Sequence, residues 1–87
     1  MLEKIKNQMI LNNPKKEVRL STTVMTSTGY VWIDTNDTFD HGWETMVFKC
    51  NENGKVTSWL ELDVDRYENY EEAKAGHEKM VSEWKMR

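Results

Sequence analysis

Two histidines, one cysteine and a scatter of carboxylates are the groups in this chain that could do chemistry. His77 falls within the series Tyr70, Ala73, His77, Met80 and Trp84, whose steps of three and four trace one face of a helix. An imidazole in such a stripe is expected to be partly buried and to orient the helix through a hydrogen bond. General acid–base work would need a cleft and a partner carboxylate beside it. Residues 34–42 present Asp34, Asn36 and Thr38 at the spacing that opens a calcium-binding loop, but Phe39 stands where the invariant Gly belongs and Thr45 where the bidentate Glu belongs. Asp40, His41 and His77 are the remaining weak metal donors, and an Asx-rich turn is the expectation for the loop. Cys50 is expected as a small core residue on the inward face of a strand. No phosphate-binding glycine loop, nucleophile elbow or HExxH helix occurs. The sequence therefore assigns no catalytic residue, cofactor or metal.

Binding is better represented than catalysis. Four Trp in 87 residues are a heavy aromatic load, and Trp32, Trp43 and Trp59 are candidates for a surface that grips a partner. Asp34, Asp37, Asp40, Glu61 and Asp63 complete the candidate partner-binding set. Residues 1–19 hold five Lys/Arg against two acids, so the overall charge of −3 conceals an acidic body. Two segments carry most of that acidity: 34–44 has four acids and no Lys or Arg, and 61–72 has six acids and Arg66 alone. Such a body disfavours direct nucleic-acid binding and suits a basic partner. No apolar run approaches the ~18 residues of a membrane span. The charged start, MLEKIKNQMILNNP, is unlike a signal peptide, so a soluble, unprocessed chain without a membrane partner is expected.

These side chains must be positioned by a single small domain. Leu2, Ile5 and Met9 predict a short helix at 2–11, stopped by Asn12, Asn13 and Pro14, so 1–14 reads as a helical appendage on a domain at 15–87. From Glu17 the period becomes two, which predicts strands at about 17–26 and 30–34, a polar loop to Gly42, and a third strand at 43–50. Met46, Phe48 and Cys50 are expected inward on that third strand. Asn53-Gly54 is a strong hairpin signal, and a fourth strand is expected at 55–64 with Trp59 turned away from the core. Asn69 with Glu72 has capping-box spacing before a helix at 70–85. Gly76 within that helix suggests a close approach to the sheet. The predicted fold is α+β: a four-stranded antiparallel sheet packed on one face by the C-terminal helix, with the short N-terminal helix appended.

Ser21-Thr22-Thr23-Val24, the loop ending Asp40-His41-Gly42, Trp43-Glu44-Thr45-Met46-Val47-Phe48, Arg66-Tyr67 and Glu71-Glu72-Ala73-Lys74-Ala75-Gly76-His77-Glu78-Lys79-Met80-Val81 occur in an order of their own. This order, over roughly residues 21–84, resembles a set of small bacteriophage and prophage proteins. The resemblance implies phage origin and a place in the host bacterial cytoplasm, and it implies no particular activity. Together with small size, acidity and the missing catalytic motifs, it leads to the expectation of a non-enzymatic accessory protein. Such a protein would bind a host protein, itself basic or nucleic-acid-binding, and inhibit a defence or nuclease system. Two alternatives stand beside it: a homo-oligomer, as small as a homodimer, that sequesters a nucleotide signal, and a metal-dependent hydrolase using Asp37, Asp40, His41 and His77.

Overall fold

A computed structural model describes residues 19–38 and 42–87. The helix expected at 2–11, like Asp40 and His41, lies outside the described residues. The alternation of β-branched and polar side chains that begins before Leu20 builds β1 (Leu20–Thr26), which turns through Ser27-Thr28 into β2 (Gly29–Thr38). β3 (Gly42–Cys50), β4 (Asp63–Tyr67) and α1 (Tyr70–Lys85) follow. The strands form one antiparallel sheet in the order β1-β2-β3-β4, and α1 lies across one face of it. In register, Val24 stands opposite Val31, Ile33 opposite Val47, and Thr45 opposite Asp65. Val24, Val31, Ile33 and Val47 meet Met80 and Trp84 of the helix in the buried core.

Three features differ from the sequence expectation. First, β2 continues to Thr38 instead of ending near residue 34, because Thr35, Asn36, Asp37 and Thr38 all find ladder partners on β3. Pairing overrides the turn preference of Asp and Asn. Second, the two faces of β3 are exchanged: Thr45 and Val47 are fully buried beneath the helix, while Met46, Phe48 and Cys50 face the opposite side. Period-two alternation shows which residues share a face but not which face the helix will cover. Cys50 is buried all the same, and burial raises its thiol above the ordinary range.

Third, the fourth strand is 63–67 and not 55–64. Residues 55–62 are tied to β3 only at their ends, by the Cys50–Val56 bridge, the Thr57 N–H to Lys49 C=O bond (2.9 Å) and the Leu62 N–H to Val47 C=O bond (2.8 Å). Between those ties Ser58, Trp59, Leu60 and Glu61 leave the ladder. The turn before them follows the Asn-Gly signal, with Gly54 at φ +82°, a left-handed conformation that L side chains rarely adopt.

The helix begins as its sequence specifies. Asn69 Oδ1 accepts from the Glu72 N–H at 2.9 Å, and the Glu72 carboxylate accepts from the Glu68 N–H at 3.1 Å. A cap of this kind contributes about 1 kcal/mol. Ala73, His77, Met80 and Trp84 form the buried stripe. At the far end the Ser27 N–H donates to the Arg87 C=O (3.0 Å), which fastens the last turn to the β1–β2 turn. Gly76 marks the close approach to the sheet that its place in the helix suggested, and the approaching group is a side chain of β4. A Cβ there would overlap the ring and hydroxyl of Tyr67, which cross the helix at this point.

Candidate functional site

The sheet face opposite the helix is where chemistry-bearing side chains gather. Trp32 on β2 and Phe48 on β3 are cross-strand neighbours, stacked with ring centroids 6.3 Å apart. Trp59, carried by the segment that leaves the ladder, stands edge-on to both, at 6.5 Å from Trp32 and 5.0 Å from Phe48. Phe48 is buried by this arrangement, whereas Trp59 remains 69% exposed. Edge-to-face contacts of this type contribute about 0.5–1.5 kcal/mol beyond area burial. They hold a large aromatic surface in place while leaving much of it in water. Leu60, Leu62 and Val64, in the same stretch of chain, are exposed as well.

One ion pair borders the aromatic cluster, and a second lies on the same face of the sheet. Arg19 grips Asp34 with both Nε and Nη2, at 2.9 and 3.0 Å, and its guanidinium lies 5.8 Å from the centre of the Trp32 ring. The hydrogen bonds and charge of Asp34 raise the Arg19 guanidinium further above neutrality. Asn36 Nδ2 donates a third bond to Asp34 at 3.0 Å. Glu44, also buried, accepts from Arg66 Nε at 3.2 Å. Buried carboxylates need such compensation, since their removal from water costs several kcal/mol.

The helix-covered face holds a polar seam. His77 is buried, and its two ring nitrogens meet the hydroxyls of Thr22 (Nε2, 2.9 Å) and Thr35 (Nδ1, 2.7 Å). Thr35 in turn bonds Thr45. A neutral imidazole has one donor and one acceptor nitrogen, and rotatable hydroxyls can match either tautomer. Burial lowers the His77 pKa, against smaller opposing influences of Asp34 and Glu78. Tyr67 completes the seam with a hydroxyl that is buried and that, among the described residues, has no partner in hydrogen-bond geometry. Burial is also the main cause of its raised pKa, which the neighbouring Thr45 hydroxyl partly offsets. A cleft of about 470 Å³ opens beside His77 between β1 and α1, with Leu20, Lys74, Glu78 and Val81 among its walls.

The structure divides the residues singled out by sequence. Trp32, Trp59 and Asp34 come together on the outer face, with exposed Glu61 two positions beyond Trp59. Asp34 is no open acidic contact there, because Arg19 occupies both of its oxygens. Trp43 lies on the helix side, 5.5 Å from the Tyr70 ring, and Asp37 is its cross-strand partner. Asp63 is also turned to the helix and accepts from Trp84 Nε1 at 3.2 Å. Among the described residues no three His, Cys, Asp or Glu side chains are placed to hold a metal ion. Phe48 and Arg19 were missed as members of the face. The alternation of β3 contained the signal for Phe48, but not the choice of side. No helix among the described residues is long and apolar enough to cross a membrane. No protein-family profile, curated protein or solved structure matches this chain.

Proposed function

We propose that this chain is a non-enzymatic phage accessory protein that binds a host protein through the sheet face bearing Trp32, Phe48 and Trp59. The observation that carries this reading is Trp59, 69% exposed yet fixed edge-on against two other rings. Rigid, half-wet aromatic clusters are where interface energy concentrates. A basic partner is favoured by the −3 net charge and by exposed Glu61, two residues from Trp59 in the segment that borders the cluster. Inhibition of a bacterial defence or nuclease system is the activity that small size, acidity and the phage resemblance favour.

The test is recovery of a stoichiometric partner from bacterial lysate by the wild-type chain and by Trp59→Ala in parallel. Loss of a central Trp should weaken binding by about 2 kcal/mol or more, roughly 30-fold. Trp59→Ala should keep a cooperative melt, because Trp59 lies outside the buried core. Absence of any stoichiometric partner, or equal recovery by Trp59→Ala, would overturn the proposal.

A further inference from the structure

The two edges of the sheet are treated differently. On β4 the Asp63 and Asp65 carboxylates accept from the N–H groups of Val64 (3.1 Å) and Arg66 (3.0 Å), the groups that would otherwise face a further strand. That edge is closed by its own side chains. β1, at the other edge, is seven residues long and contains neither a charge nor a proline. Lys49 and Val47 direct their carbonyls away from β2, to Thr57 and Leu62. Alternation along the antiparallel ladder then turns Leu20, Thr22 and Val24 toward β2, and the N–H and C=O groups of Ser21, Thr23 and Met25 toward the open edge. Among the described residues nothing caps them.

We propose that a second copy of this chain occupies that edge, pairing β1 with β1 in antiparallel register about Thr22 to give a continuous eight-stranded sheet. The strand is self-complementary in this register. Leu20 meets Val24 of the second copy on the helix side, Thr22 meets Thr22, and Ser21 meets Thr23 on the outer side. Met25, 67% exposed in the single chain, lies against the aliphatic stem of the second copy's Arg19. The open-edge hydrogen-bonding residues Ser21 and Thr23 fall opposite each other, as an antiparallel ladder requires. Charge agrees as well. The cleft flanking β1 is lined by two cations, Arg19 and Lys74, and one anion, Glu78, with Lys74 and Glu78 a turn apart on α1. A two-fold axis runs the Lys74-to-Glu78 row of one copy against the reversed row of the other. The interface is isologous and closes after two copies.

Light scattering on the full chain, from micromolar to millimolar concentration, should show a mass rising to twice the 10.4 kDa of one chain. Ser21→Pro removes an N–H that faces the open edge and is not used by β2, so it should yield a folded monomer by circular dichroism and scattering. Trp59→Ala should remain dimeric. A monomer at every concentration, or dimerisation unaffected by Ser21→Pro, would overturn the proposal. So would dimerisation abolished by Trp59→Ala, which would place the contact on the aromatic face instead.

Discussion

His77 is the residue whose surroundings explain most about the packing. An imidazole under the helix needs both nitrogens satisfied, and the sheet provides Thr22 and Thr35 at hydrogen-bonding distance from each. These bonds hold the neutral ring, and burial lowers its pKa below the ordinary value of 6.5. The unfolded chain takes up a proton as pH falls through about 6.5, while the folded chain resists doing so. Stability should therefore decline as pH falls below about 6.5, and His77→Gln should lose that part of the decline. Thermal melts of the two proteins over the acid range measure the difference, and parallel curves would contradict it. The sequence showed that His77 lies in the apolar stripe. It could not show the threonines, because they lie on β1 and β2, more than forty residues away in the chain.

At the level of elements, α1 and its neighbours were legible to different depths. The cap at Asn69 and the stripe of Ala73, His77, Met80 and Trp84 could be read from spacing, because local hydrogen bonds and helical period act within a few residues. The faces of β3 and the start of β4 could not, since both depend on which side the helix covers and on where Trp59 folds. Gly76 lies between these cases. Its presence in a helix hinted at a close neighbour, but only the structure identifies Tyr67. Helix propensity alone would make Gly76→Ala stabilising by about 1 kcal/mol. Overlap with the Tyr67 ring should reverse the sign, giving a net loss of about 1–3 kcal/mol in urea unfolding. Adding Tyr67→Leu should recover part of the loss. A stabilised Gly76→Ala would show that the ring moves aside without cost.

At the scale of the molecule, the described residues distribute their charge in a way that composition alone did not reveal. The two buried acids among the described residues, Asp34 and Glu44, are already matched by Arg19 and Arg66, so the acidity available to a partner lies in exposed residues such as Glu61 and Asp65. Attraction through exposed charges is screened over about 8 Å at physiological ionic strength. Association with a basic partner should therefore slow by an order of magnitude or more between low and high salt, with dissociation changed far less. Surface plasmon resonance across a salt series would show this, and a salt-independent association rate would argue against charge steering. The carboxylates that seal β4 have a further consequence. A sheet open at both edges can add strands without limit and grow into a fibre. A sheet with one edge shut by Asp63 and Asp65 has nowhere to propagate once the other is occupied, so the same two side chains that look like surface acids act as a terminator of polymerisation.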